Sequence, residues 1–360
     1  MEFLLSNEQL EMQDSVAKFL EKECPSTELH KFFDNEEGFP QTLWQGLIDL
    51  GITAMCIPEQ YDGLGLELLD LAILTETLGY AATPGPLLGH ILCTQAILYA
   101  GSETQKQHWL PKLAAGQVLG SFACAEENDQ WLPEQLTVTL DHNSYLNGDK
   151  KHVPYAQHCD LIVVALSKGK FAIVEKNATG MSFNEGDITD RTRHIASINF
   201  KNTTAELLKG ESKAVQKIFD TAAILLAADS YGGARRCVDL AVEYAKTRMQ
   251  FGQIIGSFQA LKHQLANMAV EIEPMRGLYW HAAYTFDHEP EIAERQAALA
   301  KAHLTDRFLQ TARNTIEAHG GIGYTWESDT QIFLKRALFN YAFMGNPSLH
   351  RSRAADLANW

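Results

Sequence analysis

The hydrophobic period changes twice along the chain. In the first third, apolar residues recur at helical spacing, and Ser6 with Gln9 forms a capping-box pattern that predicts a helix to about Cys24. Pro40 predicts the start of the next helix, and further helical patterns follow at about 67–79, 86–100 and 103–115. We therefore predict an α-helical domain over residues 1–118.

From about Leu119 the spacing of apolar residues becomes that of strands. Residues 136–140 alternate, residues 141–144 indicate a turn, and Asn147-Gly148 predicts a hairpin. Two apolar runs, 160–165 and 171–174, predict buried strands that pair through a turn at Lys168-Gly169, and a last strand is expected at 194–200. We predict a β-domain over residues 119–206.

Helical spacing returns near Ser212. The segments 212–248, 257–285, 289–318 and 328–340 are long enough for an antiparallel four-helix bundle, which we place at residues 207–360. The predicted fold is α+β and mainly α, with an N-terminal helical domain, a middle β-domain and a C-terminal bundle.

Composition narrows the class of protein. A chain of 360 residues with 46% hydrophobic residues predicts more than one domain. The net charge of −15 argues against nucleic acid or an anionic membrane surface as a partner. The six cysteines form no C-x-x-C pair, which predicts buried apolar residues in a reducing compartment and no metal site. No apolar run approaches a span of about eighteen residues, and the N-terminus lacks a basic leader pattern, so we expect a soluble, cytoplasmic protein.

Two glycine-containing corners between predicted helices carry the candidate chemistry. The first runs from Arg248 to Gln259, where Arg248 offers a planar fork of donors suited to a phosphate. Gly252 and Gly256 in this corner are expected to let the backbone approach a ligand closely. The second corner is 317–326, Glu-Ala-His-Gly-Gly-Ile-Gly-Tyr-Thr-Trp. Either motif alone would most simply be an exposed side chain at an ordinary turn.

Together the two corners resemble the acyl-CoA dehydrogenase family, and the resemblance covers the whole chain, including the N-terminal stretches 57–65 and 105–112. In that family the corners reach across a subunit interface to hold the FAD of the neighbouring protomer. The resemblance implies that the following residues, here called the clasp, bind FAD: Arg248, Gln250, Phe251, Gly252, Ile255, Phe258, Gln259, His319, Gly320 and Gly321. Glu317 stands where the family has Gln, and a carboxylate there would repel a pyrophosphate.

The resemblance also implies a reaction, the α,β-desaturation of a CoA thioester, in which a carboxylate base removes the α-proton and the flavin accepts a hydride. In most of the family the base is the Glu of a Tyr-Glu-Gly-Thr motif, and the matching position here is Met344. A minority carries the base on the first bundle helix with an Arg beside it, and the matching positions here are Ala222 and Ala223. Because Met344 and Ala222 cannot accept a proton, we assign no catalytic residue.

The β-domain departs from the family where it would contact the flavin ring. The segment Ala125–Trp131 replaces the family's Thr-Glu-Pro-x-x-Gly-Ser-Asp loop, and His152 stands where the family has a Trp on the flavin face. The residues that would hold a ring within this subunit are therefore altered, whereas the clasp is retained.

This asymmetry predicts the non-catalytic subunit of a heterotetrameric enzyme. It resembles the α2β2 acyl-CoA dehydrogenases of bacterial sterol and bile-acid side-chain degradation, a branch of lipid metabolism. A homologous partner subunit would supply the base, and the resemblance implies an electron-transfer flavoprotein as acceptor. Two alternatives stay open, a self-sufficient homotetrameric enzyme with an unconventional base and a flavin-free helical assembly protein. Asp229 is the first candidate for such a base, but an Asp that faces a helix end or an interface Arg such as Arg235 or Arg236 is the simpler explanation.

Overall fold

The computed structural model describes residues 4–34, 39–186, 188–209 and 214–358. Its helices are α1 Asn7–Glu23, α2 Ser26–Asp34, α3 Gln41–Asp49, α4 Leu68–Tyr80, α5 Leu87–Ala100, α6 Glu103–Ala114, α7 Ala214–Thr247, α8 Gln259–Ile272, α9 Met275–His288, α10 Pro290–His319, α11 Asp329–Ala342 and α12 Pro347–Asp356. Its strands are β1 Gly120–Ala123, β2 Thr139–Leu140, β3 Tyr145–Pro154, β4 Leu161–Leu166, β5 Lys170–Glu175, β6 Met181–Glu185, β7 Ile195–Thr204, β8 Glu206–Leu207, β9 Met249–Gln250 and β10 Gln253–Ile254. This order confirms the predicted fold class.

The chain divides into two compact units, which are described separately. One unit contains residues 1–34, 72–83 and 223–360, and the other contains residues 35–71 and 84–222. The boundaries of the three predicted domains stay a prediction. Within the described ranges, no helix combines the length and the apolar character that a membrane crossing requires.

Two four-stranded sheets lie in the second unit. One has the order β1-β4-β5-β8, with β1 parallel to β4, and the other has the order β2-β3-β7-β6 and is antiparallel throughout. Strand β4 is buried along its whole length, as its unbroken apolar run predicts. The predicted turn between β4 and β5 is confirmed, since Lys168 and Gly169 both have positive φ. The short strand β6 was not predicted.

The predicted hairpin at Asn147-Gly148 is wrong, because both residues lie inside β3. The predicted turn at residues 141–144 is confirmed, and there Asp141 Oδ1 accepts hydrogen bonds from the backbone N–H groups of Asn143 and Tyr145. Gly148 has a packing role, since a Cβ on it would lie 2.8 Å from a methyl carbon of Val138. An Asn-Gly pair thus occurs here without a turn.

The helices confirm most of the sequence predictions. The capping box of Ser6 and Gln9 opens α1, whose bounds match the predicted helix. The predicted helix 257–285 is wrong as a continuous element, because Glu273-Pro274 separates α8 from α9 and a proline lacks the N–H that a helix interior uses. Helix α2 was not predicted, and the predicted start at Ser212 lies outside the described residues. In the first unit, α10 packs against α9, α11 and α12.

Most of the cysteines behave as small apolar residues. Cys24, Cys93, Cys124, Cys159 and Cys237 are buried free thiols, and Cys56 is half-buried. Burial raises the pKa of the Cys24 and Cys124 thiols to about 12, so these groups stay protonated at neutral pH.

Candidate functional site

The first clasp corner is a two-residue hairpin that follows directly after α7. Strands β9 and β10 pair, and Phe251 and Gly252 at the tip have φ of 52° and 79°. Positive φ at both central residues is the conformation of a tight hairpin turn, in which Gly is at ease and Phe is uncommon. The backbone N–H of Ile255 donates to the Arg248 carbonyl at 2.9 Å and closes the hairpin. The chain therefore forms a closed hairpin that projects at this end of α7.

This projection presents large side chains to solvent. Phe251 is 91% exposed, and Met249 and Ile254 are also exposed. The Phe258 ring lies edge-on to the Phe251 ring at 6.1 Å and supports it. The polar clasp residues of this corner, Arg248, Gln250 and Gln259, are exposed. The apolar clasp residue Ile255 is half-buried. A projecting group of apolar side chains with polar neighbours is typical of a surface that another molecule covers.

The second clasp corner follows α10 and is joined to the first through Tyr244. The rings of Tyr244 and His319 stack with centroids 4.4 Å apart. Tyr244 lies one helical turn before Arg248, whose N–H donates to the Tyr244 carbonyl at 2.9 Å. His319 Nδ1 lies 2.7 Å from the Thr315 carbonyl, which only accepts, so Nδ1 carries the hydrogen. The structure thus brings together the two corners that the sequence predicted separately.

The glycines of the two corners fall into two groups. Gly252, Gly320 and Gly321 are exposed, and a Cβ on any of them would meet nothing within 4 Å, so their backbone is accessible. Gly256 differs from the prediction. A Cβ on it would lie 2.8 Å from the Ala245 carbonyl oxygen, so it permits close packing on the end of α7 and does not open the backbone to a ligand. Glu317 is exposed on the last turn of α10.

The two positions at which the resemblance places a base are buried and carry no ionisable group. Ala222 on α7 is 0% exposed and Met344 is 1% exposed. Met344 has a φ of 58° in the turn between α11 and α12, and His350 Nε2 donates to its carbonyl at 3.0 Å. The turn is thus held by the hydrogen bond from His350 to the Met344 backbone. The Met344 side chain contributes only apolar volume.

Asp229, the alternative base, is held in a buried polar cluster. Arg336 donates to its two carboxylate oxygens at 3.1 and 2.5 Å, and Asn340 donates at 2.6 Å. Asp229 and Arg336 are 1% and 2% exposed. The partner is thus an Arg, as the sequence suggested, but it is Arg336 of α11, whereas Arg235 or Arg236 had been named as examples. Sequence spacing gave no sign of this pair, because its members lie on different helices 107 positions apart.

Arg235 belongs to a second cluster, around Glu76 of α4, that the sequence analysis missed. Arg235 and Arg276 each donate to Glu76 Oε1 at 2.9 Å, and the Tyr279 hydroxyl donates to Oε2. Glu76 is 2% exposed. Its partners occupy its oxygens, so this carboxylate joins α4, α7 and α9 and is not a free base.

Comparison with known proteins decides the family. The family descriptions "Acyl-CoA dehydrogenase, N-terminal domain" and "Acyl-CoA dehydrogenase, C-terminal domain" match residues 6–117 and 212–357. The chain is 32% identical to acyl-CoA dehydrogenase IpdE2 of Mycolicibacterium smegmatis, over 95% of this chain and 96% of that one. It belongs to the acyl-CoA dehydrogenase family.

Further acyl-CoA dehydrogenases support this assignment. IpdE2 of Mycobacterium tuberculosis is 34% identical over 91% of this chain and 89% of that one. A solved structure titled as a variant of the Tcur3481–Tcur3483 steroid ACAD is 26% identical, covers 98% of both chains and superposes with a TM-score of 0.90. Acyl-CoA dehydrogenases are FAD-dependent oxidoreductases that act on CH–CH bonds. The predicted cofactor, FAD, is thereby confirmed at the level of the family.

The β-domain segment that the resemblance marks as altered contains a stacked pair of rings. Trp131 is 5% exposed and stacks on the His152 ring, with centroids 5.7 Å apart and planes 20° apart. His152 has a φ of 54° at an irregularity in the pairing of β3 with β7. The two residues that the resemblance places at altered positions thus contact each other, and Trp131 covers one face of His152.

A buried ion pair anchors the same segment. Lys150 donates to Glu126 Oε1 at 2.7 Å and to the Cys124 carbonyl at 2.9 Å, and it is 0% exposed. Thr137 donates to Glu126 Oε2 through its backbone N–H and its hydroxyl. Burial alone would raise the pKa of Glu126, but these hydrogen bonds, that from Lys150 above all, lower it below its usual value. The segment before Trp131 is therefore tied to β3.

Proposed function

We propose that this acyl-CoA dehydrogenase chain is a subunit that works with a homologous, base-bearing partner in an α2β2 heterotetramer. The observation that carries the proposal is that both usual base positions, Ala222 and Met344, are buried and cannot accept a proton. Dehydrogenation of a CoA thioester requires a positioned base at the α-carbon. The partner subunit supplies that base.

In this proposal the clasp binds the ADP half of FAD. Arg248 provides a cation with planar donors for the pyrophosphate, and Gln250 and Gln259 add amide groups that both donate and accept. The open backbone at Gly320-Gly321 and the exposed Phe251 ring complete a surface suited to an anionic nucleotide. When bound, FAD accepts the hydride from the substrate. The residues of this chain bind and orient it.

The clasp suits the ADP half of FAD, but the β-domain of this chain does not offer an open face for the isoalloxazine ring. Trp131 covers one face of His152, which is the position where the family has its flavin-facing Trp. The pair is anchored through Glu126 and Lys150. We infer that the isoalloxazine ring lies on the partner subunit, where the base also lies.

The inferred substrate is a CoA thioester of a steroid side chain, and the inferred electron acceptor is an electron-transfer flavoprotein. Support for the substrate comes from the similarity to two IpdE2 proteins and to the solved steroid ACAD.

The proposal is tested by measuring flavin content and acyl-CoA dehydrogenation, first for the purified chain alone and then for the chain co-expressed with base-bearing homologues. The expected result is a colourless, inactive chain and a yellow, active mixture with about one FAD per pair of chains. A chain that retains FAD and oxidises a CoA thioester alone would refute the division of labour. A complex that forms without flavin would favour a helical assembly protein.

A matched pair of variants tests the role of the clasp. Arg248→Ala removes the phosphate-binding cation, and Lys246→Ala removes an exposed cation two residues earlier in the same region. We expect Arg248→Ala to weaken FAD retention by the complex about tenfold or more, because charge-assisted hydrogen bonds contribute roughly 1.5–3 kcal/mol. Lys246→Ala should leave FAD retention unchanged. Equal effects of the two variants would contradict the assignment.

A further inference from the structure

A cavity of about 380 Å³ lies within the first unit, among α1, α2, α4, α7 and α11. None of the residues that line it belongs to the clasp or to the two base positions. Its volume is in the lower part of the range typical of small-molecule sites. The proposed function uses no group in this cavity, so its presence needs a separate explanation.

The walls of the cavity are mainly apolar. Leu20 and Leu29 are 2% and 3% exposed, Phe333 is 2% exposed, and Ala17 and Ala81 add small side chains. The Cys24 thiol also lies in the wall and is uncharged at neutral pH, because burial raises its pKa to about 12. An apolar lining of this kind suits a hydrocarbon body.

The two carboxylates of the wall, Asp329 and Glu21, already have hydrogen-bond partners or contact with water. Asp329 Oδ1 accepts from Ser26 Oγ at 2.6 Å and contacts His30 Nε2 at 2.8 Å. Glu21 is exposed, so water screens its charge. These two carboxylates therefore make a weak case for a cationic ligand.

Arg236 is the wall cation with donors to spare. In the part of the chain that the structure describes, Arg236 forms one ion pair, with exposed Glu243 at 3.7 Å, which is longer than a hydrogen bond. Its guanidinium also lies 5.6 Å from the centre of the Tyr80 ring and hydrogen-bonds the Tyr80 hydroxyl, which in turn donates to Asp239, so part of its five-donor fork remains for a ligand. A guanidinium has five N–H donors in a fork that matches a carboxylate. A part-buried Arg in an apolar wall is a recognition group for such an anion.

We propose that this cavity binds a small amphipathic monocarboxylate, with its apolar body among Leu20, Leu29 and Phe333 and its carboxylate on Arg236. At about 30 Å³ for each water-sized group, the volume accommodates roughly ten to twelve non-hydrogen atoms. Octanoate has this size and serves as the probe. The site is independent of the proposed function, because it needs neither FAD nor a partner subunit.

The test is a calorimetric titration of the full chain with octanoate, 1-octanol and octylammonium. We expect octanoate to bind with a Kd on the order of 0.1–1 mM, the octanol to bind more weakly, and the octylammonium to bind most weakly. Binding of octylammonium as tightly as octanoate would overturn the charge assignment. If octanoate shows no binding at concentrations up to about 10-fold above the upper end of that Kd range, the proposed site is overturned.

Variants place any observed binding in this cavity. Arg236→Gln should weaken octanoate binding about tenfold and leave octanol binding unchanged, whereas Lys22→Gln removes an exposed cation of α1 and should change neither. Ala17→Phe should weaken both ligands by filling the cavity, with thermal unfolding used to check that the variant folds. Octanoate binding that survives Arg236→Gln unchanged belongs elsewhere on the protein and overturns the proposal.

Discussion

Replacing Asp229 by Asn distinguishes a structural carboxylate from a hidden catalytic base. The side chain of Asp229 accepts from Arg336 at 3.1 and 2.5 Å and from Asn340 at 2.6 Å. An Asn at this position keeps one acceptor oxygen but places an amide N–H group against donors. It also removes the negative charge opposite a guanidinium that is 2% exposed.

The expected loss of stability is large. Removing one partner of a buried ion pair lowers the free energy of unfolding by about 3–5 kcal/mol, because the remaining charge stays buried without compensation. At about 2 °C for each kcal/mol in a protein of this size class, the melting temperature should fall by about 6–10 °C. Arg336 keeps its hydrogen bond to the Thr83 carbonyl, so the helices stay in contact.

The assay compares melting temperature with dehydrogenase activity of the reconstituted complex below the melting temperature. Asp229→Asn should lose stability and keep its activity per folded molecule. The control Asp239→Asn on the same helix removes a carboxylate oxygen that accepts from the neutral Tyr80 hydroxyl at 2.8 Å, and it should lose only about 0.5–1.5 kcal/mol. If Asp229→Asn instead keeps its melting temperature and loses about 10²–10⁴-fold in rate, Asp229 is the base and the structural interpretation is wrong.

Three further predictions follow from other contacts. Glu126→Gln leaves Lys150 buried without its counter-ion and should lower the unfolding free energy by about 3–5 kcal/mol, measured by denaturant titration. Because the folded-state pKa of Glu126 lies below 4.5, its contribution is present above pH 4.5 and is lost as the pH falls through that lower value, so the variant should show a flatter acid dependence of stability. Gly232→Ala should destabilise by about 1–3 kcal/mol or more, since its Cβ would lie 1.9 Å from a carbonyl oxygen of α4, whereas Gly277→Ala in the open part of α9 should stabilise by about 0.5–1 kcal/mol. Phe251→Ser should leave the melting temperature of the isolated chain unchanged and weaken assembly with the partner, measured by analytical ultracentrifugation; unchanged assembly would show that this tip is not covered in the complex.

The sequence predicted the elements that local rules determine. The capping box at Ser6 and the turn at Lys168-Gly169 were recognised because each depends on a few neighbouring residues. The hairpin at Asn147-Gly148 was predicted wrongly because both residues pair with β7 along the sheet, and the glycine is needed there for packing against Val138. Local patterns therefore identify where a turn is permitted, and packing decides whether it forms.

The candidate site shows the same limit. The clasp residues could be predicted because they sit in two short motifs, and their role stays a prediction. The stacking of Tyr244 on His319 joins these motifs at the ends of two long helices. The partners of Asp229 could not be found by spacing, since a pair 107 residues apart depends on how helices cross. The examples Arg235 and Arg236 came from choosing cations on the same helix.

The exposure of the clasp supports assembly on energetic grounds. Phe251 is 91% exposed at the tip of a closed hairpin, on a backbone conformation that a Phe rarely adopts. With so little of its surface covered, this side chain packs on the described part of its own chain mainly through the edge contact with Phe258. Covering a Phe side chain contributes roughly 1.5–3 kcal/mol, so a second surface on the tip would offset the cost of this backbone conformation. The segment that would face the flavin ring is different, because Trp131 there is 5% exposed and already stacks on His152. A chain with an exposed clasp and a covered Trp131–His152 segment is suited to completing the flavin site of another subunit.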